Sequence, residues 1–182
     1  MNDEAERRVD PMAHDTNSVS DLDMRDGALG KLGALTVRLV RSDAELDAAL
    51  ALRFSIFHDE FGACRDPISL ATKRDRDAYD AHCDHLIVID ETLDGPVTSQ
   101  IVGTYRLLPH DKAQTLGFYS AQEFSINALL ARHQHRRFLE LGRSCVLPPY
   151  RGRRTIELLW QGIWAYCLVH EINTMVGCAS FP

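Results

Sequence analysis

Apolar and polar residues alternate where the folded part of the chain begins. Between residues 35 and 39 every second position is apolar, which is the period of a half-buried strand. Ser42 and Glu45 then form a Ser-x-x-Glu capping box, and apolar residues recur at helical spacing from Leu46 to Phe57. The pattern predicts a strand over residues 35–40 and one amphipathic helix that ends near residue 58.

The rest of the chain alternates between short apolar runs and helical patterns. Residues 86–89 and 100–108 flank a turn at Asp94, Gly95 and Pro96, which predicts an antiparallel pair of strands. Ser120 and Glu123 form a second capping box, which predicts a short helix to about residue 131. Residues 137–147 and 174–181 predict two more strands, and residues 155–170 predict a helix between them. This order predicts an α/β chain in which helices pack on a mixed sheet.

The chain stops at Pro182, directly after the last predicted strand. A strand that is left unpaired at the edge of a sheet is an aggregation hazard. We therefore expect the domain to be truncated at its C-terminus, without the strands that would close the sheet.

The composition is that of one globular domain. The 182 residues carry a net charge of -6, and 45% of them are hydrophobic. Residues 1–33 are polar and acidic and contain no aromatic residue, so we expect a disordered arm in front of a domain over residues 34–182. The arm lacks the residue order of a secretion signal, and the cysteines include no Cys-x-x-Cys pair. These features favour a reducing cytoplasm.

The residues that most often carry metal or nucleophilic chemistry form no known motif here. Histidines at positions 82, 85, 133 and 135 lie close to one another in pairs, but neither pair has a zinc-finger spacing. Ser144 and Cys145 are adjacent, but no Gly-x-Ser-x-Gly elbow surrounds them. We expect no metal and no acyl-enzyme intermediate.

A basic turn lies between the third strong strand and the helix that follows it. The stretch Leu147 to Trp160 reads LPPYRGRRTIELLW and places three arginines just before the helical pattern. Such turns expose free N–H groups and the positive end of the helix dipole, so they favour phosphate. Nucleic-acid binding is the alternative outside the enzymes, although the acidic total charge and the lack of a basic helix with interleaved aromatic residues disfavour it.

Five blocks in the same order carry a family resemblance. They read RFSIFHDEFG, DRDAYDAHCDHLIV, IVGTYRLLP, LELGRSCVLPPYRGRR and GCASF, and they resemble the L-ornithine Nα-acyltransferases, the hemolysin-like branch of the GNAT superfamily. A more distant resemblance links the chain to the acyl-homoserine-lactone synthases. The shared pairs are Arg53 with Phe57, Asp77 with Asp80, Gly103 with Arg106, and Glu140 with Arg143.

The resemblance implies a fold and a reaction. The fold is the GNAT-like N-acyltransferase fold, in which two central strands splay apart to admit the pantetheine arm of the donor; here they are residues 139–147 and 174–181. The reaction is transfer of a 3-hydroxyacyl chain from acyl carrier protein to the α-amino group of L-ornithine, the first step of ornithine lipid biosynthesis. No cofactor is implied. The enzyme would be cytoplasmic, with peripheral association at the inner membrane through its lipid product.

The thioester donor is already activated, so the enzyme needs only to stabilise the oxyanion and to remove a proton from the amine. Backbone N–H groups near Cys145 and Val146 are expected to stabilise the oxyanion. A carboxylate is the economical base for the amine, and Glu140 is the candidate, with the acidic segment at residues 75–80 as the other source. A solvent-exposed strand position is the bland alternative for Glu140.

The remaining charged residues of the resemblance are expected to bind substrate or one another. Asp77 and Asp80 could select ornithine by its second ammonium, or form a solvated loop. For Arg106 and Arg143 we favour pairing with a carboxylate of the protein, with the substrate carboxylate as the second reading. Arg53 is expected to be a polar anchor.

The basic turn departs from the superfamily pattern for coenzyme A, which is Arg/Gln-x-x-Gly-x-Gly/Ala. Arg151 matches, but Arg154 and Ile156 stand where glycines are expected, so the backbone is less able to wrap a diphosphate. We therefore expect the donor to be an acidic carrier protein that docks on Arg151, Gly152, Arg153 and Arg154, joined by arginines 132, 136 and 137. The rival reading among enzymes is an acyl-homoserine-lactone synthase that uses S-adenosylmethionine.

Overall fold

The computed structural model describes residues 27–63 and 67–179. These ranges contain six strands and six α-helices. The strands are β1 (Gly30–Leu32), β2 (Leu35–Leu39), β3 (Asp84–Asp90), β4 (Ile101–Pro109), β5 (Phe138–Val146) and β6 (Thr174–Val176). The helices are α1 (Asp43–Phe54), α2 (Pro67–Thr72), α3 (Val97–Gln100), α4 (His110–Leu116), α5 (Asn127–Arg132) and α6 (Arg153–Val169). Across the described ranges no helix is long and apolar enough to span a bilayer.

The strands form one mixed sheet in the order β1-β2-β3-β4-β5-β6. Neighbouring strands are antiparallel except β5 and β6, which are parallel. The predicted α/β class with a mixed sheet is confirmed, as is the antiparallel pairing of β3 with β4. The expectation of a disordered arm to residue 33 is wrong at its end, because β1 pairs with β2 there. A three-residue strand is too short to show a hydrophobic period. Residues 1–26 lie outside the described ranges.

The two predicted capping boxes have different outcomes. The Ser42 hydroxyl accepts a hydrogen bond from the Glu45 N–H at 3.3 Å, so the first box starts α1 as expected. That helix then continues beyond Phe54 as a π-helical turn over Ser55–Glu60. The second box is wrong: Ser120 lies in a 3-10 turn, Tyr119–Gln122, and its hydroxyl donates to a strand carboxylate instead.

Helices cover both faces of the sheet. The long helix α6 packs on one face, where Leu158, Ile163 and Tyr166 join the core with apolar residues of β2, β3 and β4. Helix α1 covers the other face, where Ala49 and Leu52 belong to a second apolar cluster. Because successive residues of a strand point to opposite faces, β3 contributes to both clusters.

The sheet opens between β5 and β6. The two strands pair only from Phe138 with Thr174 to Glu140 with Val176, and β5 then continues to Val146 bound to β4 alone. Gly177 marks the last close approach, since a Cβ there would lie 2.5 Å from the Leu141 carbonyl oxygen. The predicted strand over residues 174–181 is therefore shorter than expected, and residues 180–182 lie outside the described ranges. The result is a cleft beside the second half of β5.

Candidate active site

A β-bulge shapes β5 at the cleft. Thr104 of β4 faces Cys145 and Arg106 faces Gly142, so two residues of β5 stand opposite the single residue between them. One of the two, Arg143, has a φ of 53°, a left-handed backbone that non-glycine residues adopt at a cost of roughly 1–3 kcal/mol. Bulges of this kind re-aim side chains next to active sites. Here the bulge turns the Arg143 side chain into the cleft.

The cleft encloses a cavity of about 750 Å³. Its walls come from β4 and β5, from the end of the α1 region, and from the turn after α4. Aromatic rings supply much of the wall, together with two arginines and two glutamates. The lining residues with these side chains are Phe57, Phe61, Tyr79, Tyr105, Tyr119, Arg106, Arg143, Glu123 and Glu140. Such a volume suits a small ligand that is held between apolar faces and a few charged groups.

An ion-pair network lies against this cavity. It consists of Arg53, Arg106, Arg143, Asp75, Asp77 and Asp80, which we call the arginine–aspartate network. Arg53 is 1% exposed and binds Asp75 at 2.8 Å and Asp80 at 2.6 Å. Arg106 binds Asp77 at 2.6 Å and Asp80 at 3.1 Å. Arg143 completes the network through Asp77 at 3.1 Å.

The arginines keep the aspartates charged despite their burial. Burial by itself would raise the pKa of Asp77, but the hydrogen bond and the charge of Arg106 outweigh it and hold that pKa below its usual value. For Asp80 burial is again opposed, here by the charge and hydrogen bond of Arg53, and the pKa is also lowered. Burial also opposes the charge of Arg106, yet its contacts with Asp77 raise its pKa. Asp77 and Asp80 are therefore ionised at neutral pH, and Arg106 is cationic.

The structure brings the four predicted substrate-binding residues together, but the two arginines and the two aspartates lie in different positions relative to the cavity. Arg106 and Arg143 line the cavity, whereas Asp77 and Asp80 stand behind them with their carboxylates bound to arginine. The Asp80 side chain is only 4% exposed. A ligand in the cavity therefore meets cations rather than these carboxylates.

Arg143 and Arg106 both keep guanidinium donors that make no hydrogen bond within the described ranges. The Nη2 of Arg143 donates to Asp77, while its buried Nε has no hydrogen bond and lies 3.6 Å from an Asp75 oxygen. Arg106 uses only Nη1, which contacts both oxygens of Asp77 and one of Asp80. The Arg143 side chain is 29% exposed and that of Arg106 is 5% exposed, so Arg143 is the more accessible of the two to a ligand.

Glu140 lies at the cavity wall and anchors the turn after α4. Its oxygens accept hydrogen bonds from the N–H groups of Tyr119 and Ser120, both at 2.6 Å, and from the Ser120 hydroxyl. The residue is 4% exposed, so the solvent-facing alternative for Glu140 is wrong. The Ser120 hydroxyl also accepts from Cys178 at 3.3 Å, which lines the cavity. Ser120 thus stands between Glu140 and a cavity-wall residue.

Cys145 and Val146 differ in the direction of their peptide groups. Leu147 N–H donates to the Val102 carbonyl at 2.9 Å, and in an antiparallel ladder hydrogen-bonded pairs alternate with non-bonded ones. The N–H of Cys145 therefore turns to β4, whereas that of Val146 points away from β4. The Val146 carbonyl confirms this direction, since it accepts from Arg151 Nε at 2.9 Å. The geometry favours Val146 over Cys145 as an oxyanion donor.

The Cys145 side chain is unsuited to nucleophilic chemistry. It is 6% exposed, and burial raises the pKa of its thiol to about 12. The thiolate is the nucleophilic form, so a raised pKa makes the group inert.

The basic turn borders the cavity, but its arginines are held in different ways. Arg151 binds Glu60 with two hydrogen bonds of 2.6 Å and lies over the ring of Phe61, a cavity residue. Arg153 pairs with Glu157, and Arg154 has no ion pair within the described ranges. Gly152 caps α6 through its backbone, without a side-chain hydrogen bond.

The arginines at positions 132, 136 and 137 do not join this turn. Arg137 directly precedes β5, whereas the basic turn follows its other end. A nine-residue strand separates the two groups by roughly 30 Å. That part of the docking expectation is wrong. Arg137 instead binds Asp111 at 3.2 Å.

Sequence reasoning missed several residues of the site. Tyr79, Tyr119 and Cys178 come from turns and from the end of the described chain, where no periodic pattern marks them. Glu123 was assigned a capping role, yet its exposed side chain lines the cavity. Phe57, the last residue of the helical apolar pattern, is a half-buried wall of the cavity. Within the described ranges no group of three or more histidine, cysteine or acidic residues could hold a metal ion.

Comparisons with known proteins extend this geometry. Residues 52–161 match the family described as Acetyltransferase (GNAT) domain. A relative from Rhizobium meliloti, named L-ornithine N(alpha)-acyltransferase, is 57% identical over 155 residues, which are 85% of this chain and 52% of the relative. A relative of the same name from Agrobacterium fabrum is 52% identical over 86% of this chain and 54% of its own length. The chain therefore spans about half the length of these relatives.

Two solved structures resemble the fold. An N-acyl amino acid synthase from uncultured soil microbes aligns with a TM-score of 0.56 at 15% identity, over 79% of this chain and 70% of its own. The AHL synthase LasI aligns with a TM-score of 0.52 at 18% identity, over 79% of this chain and 71% of its own. At such identities the likeness concerns the fold alone, and it agrees with the predicted GNAT-like fold.

The buried network predicts a large cost for the loss of Arg53. We expect Arg53→Met to lower the free energy of unfolding by about 3–5 kcal/mol, because it leaves Asp75 and Asp80 buried without their main partner. The matched control is Arg74→Met, which breaks a two-bond pair with Asp47 that is 30% and 49% exposed. That loss should be about 1 kcal/mol or less. Urea unfolding measures both, and equal losses would contradict the assignment.

The burial of His85 predicts a pH dependence of stability. Burial lowers the pKa of His85, although Nε2 donates to the Asp80 carbonyl and opposes the shift. Below about pH 6.5 His85 is protonated in the unfolded chain but stays neutral in the folded protein. The free energy of unfolding therefore falls as the pH falls. His85→Gln cannot titrate and keeps a donor. Between about pH 7 and 5 the variant should lose less stability than the wild type; identical slopes would count against this account.

Proposed function

This chain belongs to the GNAT acetyltransferase-domain family, and from that premise we propose that it acylates ornithine. The reaction is transfer of a 3-hydroxyacyl chain from acyl carrier protein to the α-amino group of L-ornithine, which starts ornithine lipid synthesis. The observation that carries the proposal is the 52–57% identity to proteins named L-ornithine N(alpha)-acyltransferase over 85–86% of this chain. That stretch contains most of the residues that line the cavity.

Arg143 binds the α-carboxylate of ornithine in this proposal. Its guanidinium lines the cavity, and its side chain is 29% exposed against 5% for Arg106. A carboxylate accepts such donors in a planar, two-bond geometry. Asp77 and Asp80 then act indirectly, because they hold Arg143 and Arg106 in place rather than binding the ammonium themselves.

The second ammonium of ornithine needs an acidic partner elsewhere in the cavity. Glu123 supplies one, since it lines the cavity and makes no ion pair within the described ranges. Glu123 would thus bind the second ammonium of ornithine, and Arg143 would bind its α-carboxylate.

Proton removal from the α-amine passes through Ser120. The Ser120 hydroxyl takes a proton from the ammonium while it gives its own proton to Glu140, with which it already shares a short hydrogen bond. The free amine then attacks the thioester carbonyl. The Val146 N–H, which points away from β4, stabilises the oxyanion, and the carrier thiolate leaves as the amide forms.

The donor docks at the basic turn. Arg153 and Arg154 are exposed at the start of α6, and Arg151 links this turn to the cavity wall through Phe61. Arg154 and Ile156 stand where coenzyme A enzymes have glycines, so the backbone is less able to wrap a free diphosphate, and the arginines of the turn favour a single phosphate on an acidic protein. Acyl carrier protein fits that description.

The proposal is tested by supplying the purified protein with 3-hydroxyacyl carrier protein and one of two acceptors. We expect free carrier thiol to appear with L-ornithine, together with the N-acylated product by mass spectrometry. With S-adenosylmethionine in its place no thiol should appear. If thiol is released with S-adenosylmethionine but not with L-ornithine, the chain is an acyl-homoserine-lactone synthase. If neither acceptor leads to thiol release, the proposal is contradicted.

The proton path predicts a specific loss of turnover. Ser120→Ala removes the hydroxyl but leaves the Ser120 and Tyr119 N–H groups on Glu140, so we expect kcat to fall by about 100-fold with little change in folding. The kcat of Glu140→Gln should fall by at least the same factor. The matched control is Ser144→Ala, a cavity-wall serine outside this path, which should keep near-normal kcat. Near-normal turnover of Ser120→Ala would remove Ser120 from the mechanism.

A further inference from the structure

The outward face of α6 carries a row of large apolar side chains. Ile156, Trp160, Trp164 and Leu168 are 51%, 48%, 62% and 46% exposed, and each follows the last by four residues. Residues spaced by four lie on one side of a helix. We call these four residues the α6 stripe. It contains both tryptophans of the chain.

The α6 stripe lies outside the apolar core formed by the described residues. The opposite side of the helix supplies the core, where Leu158, Ile163 and Tyr166 are almost fully buried. Exposed apolar side chains that are scattered need no explanation, but a contiguous patch on a monomer marks an interaction surface. Two tryptophans at half exposure make this row such a patch.

Arginines stand at one end of the same helix face. Arg153 lies seven and eleven residues before Trp160 and Trp164, which places it on their side of the helix. Its side chain is 91% exposed and pairs with Glu157 at 2.6 Å, whereas Arg154 is exposed beside it and makes no ion pair within the described ranges. The chain as a whole carries a charge of -6, so this basic end is a local feature. It is therefore complementary to an anionic surface.

We propose that the α6 stripe docks on an anionic phospholipid surface, with the helix lying in the headgroup region. Tryptophan concentrates at the boundary of water and lipid because its ring is apolar and its N–H is polar. Amphipathic helices bind in the plane of such a surface when they carry tryptophan and aliphatic residues on one side and arginine nearby.

The position of α6 relative to the cavity fits this orientation. Arg151 lies two residues before α6 and stacks on Phe61, which lines the cavity. The basic end of the helix therefore borders the cavity, and a membrane on the α6 stripe would lie beside it. This orientation argument rests on the proposed function, because it gives the lipid product a short path to the bilayer. The stripe and its charges do not depend on it.

The test is binding of the protein to lipid vesicles. Vesicles of phosphatidylglycerol mixed with phosphatidylcholine should sediment the protein and shift its tryptophan emission to the blue, since both tryptophans lie in the stripe. Pure phosphatidylcholine and high salt should weaken binding. The double variant Trp160→Gln, Trp164→Gln should bind the anionic vesicles about tenfold more weakly or worse. The matched control is Phe124→Gln, an aromatic that is 57% exposed elsewhere.

The outcomes separate this proposal from its rivals. No binding to anionic vesicles, or equal binding by the double variant, overturns it. Sedimentation of the protein as a dimer that the double variant converts to a monomer assigns the stripe to a second copy of the chain and also overturns it. Because the readout is vesicle binding, a failure of acyl transfer to ornithine would leave the result standing, and the reverse also holds.

Discussion

The arginine–aspartate network is the interaction on which the rest of the site depends. Burying a charge is costly unless it is paired and hydrogen-bonded, and here three arginines pair with three aspartates. The network joins four parts of the chain: α1 through Arg53, the segment at residues 75–80, β4 through Arg106 and β5 through Arg143. These elements cannot shift separately without leaving a buried charge unpaired. The geometry of the cleft is fixed by this requirement.

The same pairing decides which charges a ligand meets. The network occupies its aspartates and keeps the pKa values of Asp77 and Asp80 low, so the cavity presents guanidinium groups rather than those carboxylates. The bulge at Arg143 then turns the more exposed of the two cavity arginines into the cleft. A second fixed carboxylate, Glu140, holds the turn that carries Tyr119 and Ser120 against β5. The site is thus a rigid set of charges around an aromatic-walled cavity.

The sequence predicted the strongly periodic elements and the charged residues that the network joins. The strand and helix around the basic turn and the antiparallel pair β3 and β4 lie where the pattern placed them. Three features escaped it for physical reasons. Strand β1 is too short for a period, the bulge depends on register between two strands, and the cavity walls at Tyr79 and Glu123 come from turns that only the tertiary fold brings together. Likewise, spacing alone cannot show that Asp80 faces an arginine rather than a substrate.

Arg143 is proposed to bind the substrate carboxylate. The most direct test compares kcat/KM for two acceptors in two forms of the protein. L-ornithine and L-ornithinamide, which lacks the carboxylate charge, are compared as acceptors for the wild type and for Arg143→Met. The wild type should prefer ornithine by about tenfold or more, in the range of a charged hydrogen bond, and the variant should show no preference. If Arg143→Met still prefers ornithine by the same factor, another group binds the carboxylate and the account is contradicted.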